Sequence, residues 1–261
     1  MTARVEVIGE CVLMLGDCLE LMPYLKPVSH IITDPPYEAI MHEAKAKASG
    51  RGLRTDGGVE LRPLGFEGID TIREQVANEA ARLSEGWALF FCSPEGVGRW
   101  ADVINASPAK YKRACYWVKP DCTPQLNGQG PAMGGESFVA AWCGKGHARW
   151  NAGGKRGVYT HQCNPPSRHG GHPTEKPVSL MSELVNDFTS PNDQILDPFM
   201  GSGATGIACI KHGRRFIGIE QNPDYFEMAC DRLRQAEKQP DLFVAPVSAK
   251  PKQMDLLEVD A

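Results

Sequence analysis

Asp34-Pro35-Pro36-Tyr37 is built to receive a flat ring that carries an amine. Two consecutive prolines remove two backbone donors and stiffen the chain. The carbonyls of Asp34 and Pro35 stay available as acceptors beside a carboxylate. An exocyclic amino group has two N–H donors, one for the Asp34 carboxylate and one for the Pro35 carbonyl. Tyr37 supplies an aromatic face on which such a ring can stack. The plain alternative for these four residues is a diproline turn with an exposed aspartate.

The second stretch with chemical potential is Leu196-Asp197-Pro198-Phe199-Met200-Gly201-Ser202-Gly203-Ala204-Thr205-Gly206. It reads as a strand, a glycine-rich turn and a helix start. Glycine lets a ligand approach the backbone, and a helix start presents N–H donors. A dinucleotide loop, a phosphate loop and a bare strand-to-helix turn are the alternatives. Glu220 lies one strand further on, in Phe216-Ile217-Gly218-Ile219-Glu220. An acidic residue at that strand end is placed to bind a ribose diol; otherwise it is a surface glutamate.

These turns need elements to hold them. Apolar runs predict strands at Val12–Leu15, Ile31–Thr33, Trp87–Cys92, Ala114–Val118, Phe138–Cys143, Gln194–Leu196 and Phe216–Ile219. Helical spacing predicts helices at Leu19–Leu25, Ile69–Ser84, Glu95–Ile104, Pro177–Phe188, Ala204–His212 and Pro223–Ala236. Alternating strands and helices with apolar strand runs imply an α/β fold, a mostly parallel sheet covered on both faces. Ligands then sit at the carboxyl ends of strands, where both turns fall. Residues 38–65 lack a clean period and read as a mobile loop. Residues 119–136 and 144–172 read as irregular, and the stretch 239–261 as a flexible tail.

Bulk composition sets the outer limits. The 261 residues are 42% hydrophobic and 23% charged, enough for one large domain with a real core. A net charge of −4 argues against indiscriminate polyanion binding but allows a local basic face. Nine cysteines with no CxxC pair read as reduced thiols in the cytoplasm. No apolar run reaches membrane-spanning length, and no signal peptide is evident, so no membrane partner is expected. Cys143, His147, His161 and Cys163 match no standard zinc spacing, so no metal is expected.

Taken together, the motifs resemble the S-adenosylmethionine-dependent DNA amino-methyltransferases. Asp34-Pro35-Pro36-Tyr37 is similar to the catalytic motif of that family, and Asp197-Pro198-Phe199-Met200-Gly201-Ser202-Gly203 to its cofactor motif. Thr174-Glu175-Lys176-Pro177 and Gly16-Asp17 resemble two further motifs, and Glu220 fits an acidic one. The catalytic motif comes first, which resembles the permuted β group. The resemblance implies a Rossmann-like sheet and S-adenosylmethionine as methyl donor. It implies that Asp197, Pro198, Phe199, Gly201, Ser202 and Gly203 hold the methionine part, with Thr174 and Lys176 supporting that end. Glu220 would take the ribose hydroxyls, Asp17 would lie near the adenine, and Asn222 joins the cofactor-binding set. Asp34, Pro35, Pro36 and Tyr37 would hold a base flipped out of double-stranded DNA. Aspartate at the first motif position implies adenine N6 rather than cytosine N4. Cytosine C5 chemistry needs a Pro-Cys pair, which the sequence lacks.

The chain then divides into a catalytic part (1–118), a recognition insertion (119–172), a cofactor part (173–238) and the tail. The segment 119–172 carries net +4 and contains Lys145, Arg149, Lys155, Arg156 and Arg168, the expected DNA contacts. A solvated surface loop is the alternative. So small a recognition region fits a homodimer on a short palindrome. No DNA-cleavage motif is evident, so a cognate restriction endonuclease would be a separate protein. The competing functions are cytosine-N4 methylation, RNA as acceptor, and a non-catalytic DNA-binding module that keeps a cofactor pocket.

Overall fold

The computed structural model describes residues 4–37, 68–122, 130–163 and 175–238. Nine strands form one sheet: β1 (Arg4–Ile8), β2 (Cys11–Leu15), β3 (His30–Thr33), β4 (Trp87–Cys92), β5 (Lys110–Val118), β6 (Gly135–Trp142), β7 (Val158–Thr160), β8 (Gln194–Asp197) and β9 (Arg215–Glu220). Their spatial order is β1-β2-β9-β8-β3-β4-β6-β5-β7. Strands β2, β9, β8, β3 and β4 run parallel. Strand β6 returns antiparallel between β4 and β5, and β1 is antiparallel at the other edge. The sheet is thus mixed, with a parallel centre.

Six helices cover it: α1 (Cys18–Leu21), α2 (Arg73–Leu83), α3 (Val97–Ala106), α4 (Val178–Phe188), α5 (Ala204–Lys211) and α6 (Pro223–Lys238). Successive side chains of a strand point to opposite faces. On β4, Trp87, Leu89 and Phe91 enter one core with α4, α5 and α6. Ala88, Phe90 and Cys92 enter the other with α1, α2 and α3. A strand buried on both faces must be apolar throughout, which is why WALFFC was readable as one. Phe90 stacks on Trp100 of α3 with ring centroids 4.5 Å apart.

Two strands escaped the periodicity. Strand β1 alternates charge with valine at a sheet edge, and β7 has three residues and only Tyr159 buried. The predicted Leu19–Leu25 helix is two pieces, α1 and a 3-10 turn at Met22–Tyr24, because Pro23 has no N–H to donate. The segment 119–172 is not a separate insertion, since it supplies β6 inside the sheet and β7 at its edge.

The chain leaves β8 through α5 on one face to reach β9. From β3 it passes to α2 on the other face and so to β4. Neighbouring parallel strands whose connections diverge leave a crevice at their carboxyl ends. Asp34 follows β3, and the glycine-rich turn follows β8, so the two motifs flank that crevice.

Candidate active site

Asp197 ties the two motifs together. Its Oδ1 accepts from the Thr33 hydroxyl at 2.6 Å and from the Phe199 N–H at 3.1 Å. Its Oδ2 accepts from the Thr205 hydroxyl at 2.6 Å. The side chain is 2% exposed, and burial raises its carboxyl to about 6 against those three donors. This carboxylate spans β3, the turn and α5, so the structure gives it an internal role beside the cofactor contact implied by resemblance.

The turn itself is set by glycine. Gly201 and Gly203 have φ of 50° and 81°, a region L side chains rarely adopt. A Cβ on Gly203 would lie 2.8 Å from Leu233 of α6, so this glycine is needed for packing as well. The residues Gly201-Ser202-Gly203-Ala204-Thr205-Gly206 have the GxGxxG spacing of a dinucleotide loop. A Cβ on Gly206 would meet the Phe216 ring at 2.8 Å, as expected where a helix lies close on its sheet. Pro198 and Ser202 are buried and Phe199 half-buried. The Ser202 carbonyl accepts from Arg232 of α6 at 2.7 Å, and Arg232 also pairs with buried Glu175.

Glu220 ends β9 and is 7% exposed. Its Oε2 accepts from the Gly201 N–H at 3.0 Å and its Oε1 from the Asn222 N–H at 2.8 Å. A carboxylate offers about four lone-pair sites, so capacity remains for the two hydroxyls of a ribose. Burial raises its carboxyl. Leu15 of β2 is in register with Glu220, and the Gly16 N–H donates to the Glu220 carbonyl at 3.0 Å. Asp17 is thereby held at the same sheet end, where it caps α1 through Leu19 N–H at 2.7 Å. Asn222 caps α6, accepting from Asp224 and Tyr225. This donor set fits the ribose and adenine of S-adenosylmethionine. Thr174 lies outside the described residues.

On the other side of the crevice stands a cluster the sequence did not reveal. Lys176, placed by resemblance at the methionine end, sends its ammonium to Asp34 Oδ2 at 2.5 Å and to Glu136 Oε2 at 3.2 Å. The Tyr37 hydroxyl donates to Glu136 Oε2 at 2.7 Å, and Lys119 pairs with Glu136 Oε1. Asp34 Oδ1 is buried and has no hydrogen-bond partner. Burial raises the Asp34 carboxyl, while Lys176 opposes the rise. An ionised carboxylate with one uncommitted oxygen, beside an aromatic ring, is an acceptor waiting for a donor. Glu136 opens an apolar strand, GESFVAAW, and a charged residue there was the one available signal.

The matching of chain to family now decides the reading. A family model described as a DNA methylase matches residues 28–231. The chain belongs to the DNA methylase family. It is 46% identical to the Escherichia coli (strain K12) protein YubD over 234 residues, 85% of this chain and 90% of that one. It is 47% identical over 62 residues to the DNA adenine methyltransferase YhdJ of Escherichia coli (strain K12), covering 24% of this chain and 21% of that. Its fold matches the crystal structure of the M1.HpyAVI–SAM complex with a TM-score of 0.64 and 28% identity, covering 85% of this chain and 98% of that one.

The expected DNA contacts of this methylase are not gathered in one place. Strand β6 runs from Glu136, level with the catalytic turn, to Trp142, in register with Trp87 at the start of β4. Lys145 and Arg149 follow β6 and are exposed, and the Arg149 carbonyl accepts from the Trp87 indole. They therefore sit at the sheet end opposite Asp34, roughly 17 Å away by the rise of five strand residues. Lys155 is bound to Glu183 at 2.6 Å and to Asp187, both on α4, so it is a brace rather than a free phosphate contact. Arg156 is exposed just ahead of β7. Arg168 lies outside the described residues, as do loop 38–65 and the tail. His161 engages Ser179 and Glu183 of α4. Among the described residues no cluster could hold a metal ion. No described helix is long and apolar enough to cross a membrane.

Proposed function

We propose that this methylase transfers a methyl group from S-adenosylmethionine to the N6 amino group of an adenine flipped out of double-stranded DNA. The observation that carries it is the uncommitted Asp34 Oδ1 in a diproline turn, across one crevice from the Gly201–Gly203 turn and Glu220. The cofactor supplies an electrophilic methyl group. Glu220 and Asp17 hold its ribose and adenine, and the Gly201–Gly203 turn lies against its methionine part.

The amine is a weak nucleophile because its lone pair is shared with the ring. One amino proton goes to Asp34 Oδ1 and the other to the Pro35 carbonyl, which draws the nitrogen toward tetrahedral geometry. Its lone pair then faces the methyl group for in-line transfer, so positioning and electrostatics carry the rate. Tyr37 holds the base by stacking. Aspartate at the motif's start and the likeness to the DNA adenine methyltransferase YhdJ favour adenine over cytosine. The DNA lies against the carboxyl ends of the parallel strands, and two copies of the chain read a short two-fold site.

Replacing Asp34 tests the assignment. Asp34→Ala should lower turnover at least about a hundredfold. Affinity for S-adenosylmethionine, measured by calorimetry, should stay within a few-fold of wild type. An active Asp34→Ala enzyme would remove the clamp from the account.

A further inference from the structure

We propose that Glu136 is the positioning residue of the catalytic turn, acting through Tyr37 on one side and Lys176 on the other. The inference rests on the methyl-transfer reading above and adds to it the groups that aim its two base-binding side chains.

Four elements converge on this carboxylate. Glu136 is the second residue of β6, in register with Trp117 of β5, so its backbone is fixed within the sheet. Lys119 follows β5, Lys176 precedes α4 and Asp34 follows β3. The Tyr37 hydroxyl meets Glu136 Oε2 at 2.7 Å, which fixes the ring in the plane needed for stacking. A phenylalanine would stack as well but would lack that anchor. The Lys176 ammonium bridges Glu136 Oε2 and Asp34 Oδ2, at 3.2 Å and 2.5 Å. It also lies 5.3 Å from the Tyr37 ring centroid and 5.1 Å from that of Phe91. With Oδ2 held, Asp34 can turn only Oδ1 toward an amine.

The charges balance: two carboxylates, Asp34 and Glu136, face two ammonium groups, Lys119 and Lys176. Burial alone would raise the Glu136 carboxyl, but Lys176 and Lys119 outweigh it and hold it down to about 2. The groups that act on Asp34 are Lys176 and Lys119, which favour its anion, and Glu136, which opposes it. Asp197 behind it is negative, and Tyr37 is a neutral phenol whose ionisation burial suppresses. A buried cluster of this kind is sensitive to loss of any one member, since the remaining charge is left unpaired.

The test is the pH dependence of single-turnover methyl transfer to DNA. Asp34 accepts only as the anion, so the acid limb of the rate follows its titration. Glu136→Gln removes the neighbour that opposes the anion, so the limb should move to lower pH. The rate on its plateau should fall about tenfold or more as Tyr37 and Lys176 lose their anchor. Lys176→Met removes the neighbour that favours the anion, so its limb should move to higher pH. Tyr37→Phe deletes a single oxygen and is the milder variant; its plateau rate should fall several-fold at unchanged affinity for S-adenosylmethionine. A purely structural role would not shift the two limbs in opposite directions. A plateau within twofold of wild type for both Glu136→Gln and Tyr37→Phe overturns the inference, as do limbs that move the same way. A wild-type chain that methylates no DNA removes the underlying reading as well, whereas an active wild type with an indifferent Glu136→Gln removes this inference alone.

Discussion

Asp34 and Asp197 are both aspartates followed by proline at the end of a parallel strand, and their surroundings give them different work. Every oxygen of Asp197 is committed to Thr33, Phe199 or Thr205, whereas Asp34 keeps Oδ1 uncommitted. A sequence motif cannot distinguish these states, because the partners come from other strands. The buried charge of Asp197 has a measurable consequence. Its carboxyl rises from 3.8 to about 6 on folding, so the native state keeps the proton to higher pH than the unfolded chain. Its contribution is complete below about 4 and is lost as the pH rises through about 6. Asn at this position keeps the shape without the charge. The stability of wild type relative to Asp197→Asn should therefore fall between pH 4 and 6, by up to about 3 kcal/mol in urea unfolding. A pH-independent difference would mean the carboxylate is not buried as described. Gly203 makes a second prediction at this scale. Gly203→Ala combines a φ of 81° with a contact of 2.8 Å to Leu233, so unfolding free energy should drop about 1–3 kcal/mol. An unaffected midpoint would contradict the turn geometry.

At the scale of elements, the central strands and the long helices were legible because burial on two faces leaves a continuous apolar run and burial on one leaves a helical stripe. Strand β4 was readable to the residue, and β8 and β9 nearly so. The recognition segment was not, because composition counts charges without saying at which end of a strand they emerge. Antiparallel β6 carries the chain away from Asp34, so Lys145 and Arg149 come out at the far end. Lys145→Ala with Arg149→Ala should accordingly leave DNA affinity within about twofold and its salt slope unchanged. Each lost phosphate contact would instead flatten that slope by about 0.9. Flattening by about two such contacts would return the DNA to that face. Glu136 was counted only as an acidic residue in a basic segment, yet the same antiparallel geometry brings it level with the catalytic turn.

At the scale of the molecule, chemistry is assembled from distant parts of the chain. The crevice draws Asp17 and Asp34 from the start, Glu136 from the middle, and Lys176, Gly201 and Glu220 from the last third. What joins them is the sheet order, in which β2 lies against β9 and β3 against β8. Both motifs could be found in the sequence because each is local. Their relation, face to face across the divergence of β3 and β8, follows from topology. That relation requires amine and methyl group to meet between Asp34 and the glycine turn. The most direct test is transfer of label from S-adenosylmethionine to genomic DNA that lacks adenine and cytosine methylation, followed by nucleoside analysis. The account predicts labelled N6-methyladenine, absent with Asp34→Ala. Labelled N4-methylcytosine in its place would contradict the choice of base, and an unlabelled DNA pool would contradict the reaction itself.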